Sequence, residues 1–148
     1  MSFLSSMNIS ASAMTAQRLR LDVASENIAN IDTTRTEAGG PYRRKMVVLE
    51  ARNENSFKRT LMNAAGRSLQ QSTGGVRVSQ IMDDTSPLKS VYNPEHPDAD
   101  EDGYVQMPNV DLIKETVDSM SATRSYEANI TAFNAIKMMA SKALEIGK

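Results

Sequence analysis

Asp98, Asp100 and Asp102, followed by Gly103, place three carboxylates at alternate positions before a glycine. That order matches the first half of an EF-hand calcium loop, in which hard oxygen donors converge on a cation and the glycine permits the sharp turn. Tyr104 would offer its carbonyl and Val105 fills the usual apolar position. The second half fails. Asn109 stands where a bidentate Glu is required, Pro108 precedes it, and Pro94 and Pro97 break any helix leading into Asp98. The pattern reads as a solvated acidic turn, and no metal site or cofactor is expected.

No other group of residues suggests catalysis. His96 is the only histidine and sits between two prolines, and the chain has no cysteine, so no nucleophile and base stand out and the chain reads as a non-enzyme. The glycine pairs at 39–40 and 74–75 lack the spacing and lysine of a phosphate loop and are explained as turns. With 17 basic and 18 acidic residues, the chain has no electrostatic footprint for nucleic acid. The short basic run Arg43, Arg44, Lys45 reads as a solvated strand start. No apolar run approaches the ~20 residues that span a bilayer. Ser5, Ser6, Asn8, Ser10 and Ser12 interrupt any secretory apolar stretch, so export with a cleavable signal peptide is not expected.

The elements that must carry function are therefore the two long amphipathic segments at the ends, about 5–31 and 109–146. Met7, Met14, Leu21 and Ile28 recur every seven residues, while Ile9, Ala13, Ala16, Val23 and Asn27 fall on nearly the opposite side. In the second segment Tyr126, Ile130, Phe133, Ala140 and Leu144 follow steps of four and three, with Lys137 in between, and Ala128, Ala132, Ala135 and Met139 form a separate strip. A lone surface helix shows one stripe; these show two and call for neighbours. A helix from Val110 to Ile146 is roughly 55 Å long, against a diameter of roughly 40 Å for a compact chain of this length. Other chains are the expected solution. Asn109 suits the helix N-cap, with Asp111 in the first turn and Gly147 as the terminating residue. Arg124 and Glu127 continue the Ile113, Val117, Met120 stripe and are expected to pair with each other or with Asp22 and Glu26.

Between the helices, Asp32–Gly40 is a turn-forming stretch. Strands are expected over Tyr42–Ala51 and Val76–Met82, with Leu88–Tyr92 pairing to the latter. Phe57, Leu61 and Ala65 at steps of four permit a short helix within a mostly polar stretch, and a flexible loop is the other reading. The fold class is thus mainly α: terminal helices (1–35 and 108–148) forming a coiled-coil-like assembly module, with a central β and loop insert (36–107). Assembly-interface candidates are Met7, Met14, Leu21, Asn27, Ile28, Asn30, Tyr126, Ile130, Phe133 and Leu144.

Three stretches carry a resemblance. Ser25-Glu26-Asn27-Ile28-Ala29-Asn30, then Asp32 to Thr36, then Gly39-Gly40-Pro41-Tyr42-Arg43-Arg44-Lys45, resembles the N-terminal motif of bacterial flagellar rod and hook axial proteins, in the form carried by proximal rod subunits. His96 to Asp100, Gly103 to Val105 and Pro108 to Val110 resemble the same proteins' approach to the C-terminal helix, as do Arg124 to Asn129 with Phe133 and Asn134. The likeness covers roughly residues 1–50 and 86–146; it departs at Glu37 and Ala38, where many relatives carry a proline before the glycine. It implies a structural subunit of the periplasmic rod that transmits motor torque. The partners it implies are other copies, other rod proteins, basal-body ring or adaptor proteins and the flagellar type III export apparatus. The competing reading is a helical-hairpin adaptor or chaperone-like module, and a calcium-responsive module comes third.

Overall fold

The structure is a computed structural model that describes residues 3–37, 39–53, 61, 64–65 and 73–146. In chain order it contains helix α1 (Phe3–Ala29), strands β1 (Lys45–Asn53), β2 (Thr73–Asp83), β3 (Lys89–Tyr92) and β4 (Tyr104–Met107), and helix α2 (Leu112–Ile146). The described residues are thus mainly helical, with a small β element between the helices.

The two helices pack antiparallel. Asn27 near the end of α1 meets Glu115 near the start of α2, and Arg20, earlier in α1, meets Asp118, later in α2. On α2 Glu115, Ser119, Ala122, Tyr126, Asn129, Phe133, Ile136 and Ala140, all buried or half-buried, alternate steps of four and three, with Asp118, Ser125 and Ala135 half-buried at the edge of the row. That is the seam of a helix pair, in which each residue returns to the same face every half heptad. At 35 residues against 27, α2 is about 12 Å longer than α1. Its last turn, residues 141–146, is exposed throughout.

The second face of α1 is covered from within the chain. β1 and β2 form an antiparallel two-stranded ribbon, with Lys45 opposite Asp83 and Ala51 opposite Val76, and this ribbon lies along α1. Leu4, Asn8, Thr15, Arg18, Asp22, Ser25 and Ala29 are left as the exposed stripe of α1. The two-sided apolar pattern of α1 therefore reflects α2 on one side and the ribbon on another, not a demand for two other chains. Gly75 sets how closely the ribbon approaches. Its φ is +90°, and a Cβ there would lie 2.2 Å from Ser12 Oγ and 3.3 Å from Ile9 Cα. Ser12 Oγ donates to Ile9 O at 2.7 Å and accepts the Val76 N–H at 3.1 Å, which ties β2 to the helix.

Several sequence expectations are corrected. The first strand starts at Lys45 instead of Tyr42, because the residues before it are drawn into side-chain contacts with both helices. Leu88–Tyr92 does not extend the first ribbon: β3 pairs with β4 in a second antiparallel ribbon, Tyr92 opposite Tyr104. Gly103, at φ +81°, closes that hairpin against Tyr92 and Pro94. The N-cap of α2 is Asp111, whose Oδ1 accepts the Ile113 N–H at 3.0 Å; Asn109 serves elsewhere. Leu61 and Ala65 are joined by a helical hydrogen bond, while Phe57 and Gly147 lie outside the described residues.

Candidate assembly site

A polar clasp joins α1, α2 and the base of the first ribbon where the two helices begin to run side by side. Its centre is Asn27, 1% exposed, whose carboxamide uses every hydrogen-bonding position it has. Nδ2 donates to Glu115 Oε2 and to Lys45 O, and Oδ1 accepts from Lys45 N and from the Tyr42 hydroxyl, all at 2.9 Å. The side chain binds the backbone of Lys45 on both sides, as a neighbouring strand would, and so caps the start of β1 with the end of α1.

Around it lies a charge cluster. Arg44 Nε donates to Glu115 Oε1 at 2.5 Å and Nη2 to Asp118 Oδ2 at 3.2 Å, with Asp84 at 3.7 Å. Glu115 is 1% exposed, so its charge is tolerable only beside that guanidinium. Burial alone would loosen the Arg44 proton, but the hydrogen bond and charge of Glu115, with Asp118 and Asp84, outweigh it and hold the group above its ordinary value. Asp84 sits below the usual carboxylate range, chiefly because its oxygen accepts the Ser86 N–H, with help from Arg44 and Lys114. Tyr42 is pushed up to about 12 by burial first and then by Glu26, Asp83 and Glu115. Asn109 brackets the cluster: its Oδ1 accepts the Arg44 N–H at 2.8 Å, and its Nδ2 donates to Asp84 O at 3.1 Å and Ser86 Oγ at 2.8 Å. Among the described residues no buried side-chain polar atom is left without a partner. Buried ion pairs add little net stability but penalise every misaligned arrangement, so the clasp's chemistry is positional: it fixes one helix register and one ribbon angle.

The basic run is therefore not wholly a solvated strand start. Arg43 is exposed, but Arg44 is the cluster's cation and Lys45 binds Glu26. The expected pairing of Arg124 and Glu127 is also corrected. Both are exposed on the outer face of α2, form no ion pair among the described residues, and lie apart from Glu26, which Lys45 has taken.

The interface candidates separate by position. Met7, Met14, Leu21 and Ile28 are half-buried along α1, and Asn27 is spent inside the chain. Asn30 turns back on its own helix, donating to Glu26 O at 2.9 Å. Tyr126 and Phe133 lie on the seam toward α1, whereas Ile130 and Leu144 are exposed. The acidic motif does not converge either. Asp98 accepts from Thr34 Oγ1 at 2.8 Å, the Asp100 backbone closes the turn onto Tyr104 and Gly103, and among the described residues no three carboxylate or imidazole groups are placed to hold a metal ion. Sequence reasoning missed Glu115 and the bracketing role of Asn109; stepping back from Ala122 by three and four reaches Glu115, an acid on a covered seam that needs a cation.

Comparison with known proteins agrees with this architecture at both ends. A family model described as "Flagella basal body rod protein" matches residues 7–35, and one described as "Flagellar basal body rod FlgEFG protein C-terminal" matches residues 101–146. The chain is 54% identical to the flagellar basal-body rod protein FlgC of Bacillus subtilis (strain 168), over 97% of each chain. It is 46% identical to the FlgC protein of Borreliella burgdorferi, over 99% of this chain and 98% of that one. It is 43% identical to the FlgC protein of Escherichia coli O157:H7 over the whole of both. Likeness of this extent, running through α1, the clasp and α2 alike, places the chain in the FlgC family of flagellar basal-body rod proteins.

Proposed function

We propose that this structural subunit of the flagellar basal-body rod is built into the rod through the outward face of α2 and the exposed stripe of α1, with the clasp fixing the angle between them. Residues 1–35 and 108–148 act as the assembly unit and residues 36–107 as a brace. In this reading the rod is the shaft that carries motor torque across the periplasm, so each subunit must resist twisting as well as cohere with its neighbours. The carrying observation is that Ile113, Val117 and Met120 stand exposed on the side of α2 opposite its covered seam. An apolar row on the outside of a helix that is already packed is a surface for another chain. Neighbours of the same kind, other rod proteins and basal-body ring or adaptor proteins, are the partners this face suits. Delivery by the flagellar type III export apparatus, without a cleavable signal, suits a chain whose buried apolar core among the described residues is only seven side chains, four of them alanine or valine on helices and three at the β elements and their junctions. The helical-hairpin adaptor is not favoured by any feature of the site.

The test is V117D in a strain lacking the native subunit. The side chain is exposed, so the variant should keep its fold by circular dichroism while motility and rod assembly are lost. Normal swimming would overturn the role given to this face.

A further inference from the structure

We propose that, before it enters the rod, the subunit pairs with a second copy through the outer face of α2, the two helices running antiparallel. The face is a second seam. Ile113, Val117, Met120, Arg124, Glu127, Thr131, Asn134 and Met138 alternate steps of four and three, and every one of them is exposed, Ile113 at 75%, Val117 at 59%, Met120 at 51% and Met138 at 64%. A helix with one covered seam and a second open one has the pattern of a coiled-coil partner awaiting its mate.

The charges choose the mate and its direction. Antiparallel pairing about a two-fold axis between Arg124 and Glu127 sets Arg124 of each copy against Glu127 of the other. The same axis sets Ile113 against Met138, Met120 against Thr131 and Val117 against Asn134, so both ends of the contact are apolar. Parallel pairing in register would set Arg124 against Arg124 and Glu127 against Glu127, which is repulsive twice. A like-directed pair staggered by three residues joins only one Arg124 to one Glu127, half of what the two-fold arrangement gives. Neither residue forms an ion pair among the described residues, so both are available. An isologous pair of this kind closes on itself. It cannot be continued into a tube of like-directed chains, so it covers the outer face of α2 until the subunit reaches the rod. That last meaning rests on the role given above to this face, whereas the pairing itself is read without reference to the rod.

Sedimentation equilibrium of the purified full chain tests it. The wild type should dimerise with concentration; R124E and E127R should each weaken the dimer at least about tenfold; R124E/E127R should restore it. Both positions are exposed, so circular dichroism of all three variants should match the wild type. Direction is read by oxidative cross-linking, since the chain has no cysteine of its own. M120C mixed with T131C should cross-link, and M120C alone should not, because the two Met120 positions would lie about 16 Å apart along the axis. A monomer at all concentrations up to about 0.1 mM, charge reversals without effect, or self-cross-linking of M120C would each overturn the proposal. A charge-reversal pattern as expected together with normal motility of V117D would leave the pairing intact and remove only the proposed rod contact.

Discussion

Tyr42 holds its phenol proton more tightly in the fold than in the unfolded chain, because burial and the surrounding carboxylates disfavour the phenolate and because the hydroxyl donates to Asn27 Oδ1. The stabilisation this gives is fully present below pH 10, the ordinary tyrosine value, and is lost as pH rises toward about 12. We predict that stability from urea unfolding falls by about 2 kcal/mol more in the wild type than in Y42F across that window, with Y42F about 1 kcal/mol weaker at neutral pH for the lost hydrogen bond. Equal pH slopes for the two proteins would remove Tyr42 from the clasp. Arg44 works through Glu115. R44M strands a buried carboxylate and should cost about 3 kcal/mol, while R44M/E115L, which removes both charges, should recover most of that loss. A double variant as unstable as the single would show that the pair contributes stability of its own and not chiefly alignment.

At the scale of elements, the ribbon and the helix pair depend on different contacts. A methyl group at position 75 meets Ser12 Oγ, which is held by two hydrogen bonds and cannot swing aside, and the backbone there is left-handed. G75A should therefore cost about 2 kcal/mol, and adding S12A should recover only the steric part. Full recovery would mean that the backbone at Gly75 relaxes freely. Phe133 lies half-buried on the covered seam of α2, so F133A should cost about 2 kcal/mol, less than a fully buried phenylalanine, and should weaken the helix pair before it affects any other chain. An unchanged unfolding midpoint would place Phe133 outside the pair. The helices themselves were legible in the sequence, since periodicity over nearly thirty residues leaves little else possible. Their register was not. Tyr126, Phe133 and Ala140 share one covered row, but hydrophobicity alone draws Ile130 and Leu144 into it, whereas Asn129 and Ile136 are the residues that keep its spacing. Polar residues on a seam are invisible to an apolar count, and for the same reason Glu115 escaped notice. β4 was missed because Tyr104–Met107 is four residues long and follows two prolines and an acidic turn, where local signals describe a loop and only pairing with β3 makes a strand.

For the molecule as a whole, stability is unevenly placed, and this changes what the unassembled chain should do. The clasp ties the C-terminal turns of α1, the first turns of α2 and the base of the first ribbon into one unit, and Val105 and Val110 are buried in the segment that leads into α2. Moving away from it along α2, full burial ends at Ala122; beyond that residue the seam is only half-covered, and the last turn has no cover at all. Long helices have little intrinsic stability to set against about 1 to 2 kcal/mol per residue of backbone ordering, so order should decay with distance from the clasp. On sequence alone both terminal segments are expected to exchange quickly in a dilute monomer, but Asn27, Arg44 and Glu115 now place slow exchange where the helices meet. Amide hydrogen exchange on dilute protein is expected to show protection near residues 20–29, 45–51 and 104–122, and fast exchange over 3–8 and 130–146. Raising the concentration should slow exchange over 113–138 if copies pair through the outer seam of α2. Uniform protection of α2 from Leu112 to Ile146 in a verified monomer would show a self-contained helix pair, with no ordering left for assembly to supply.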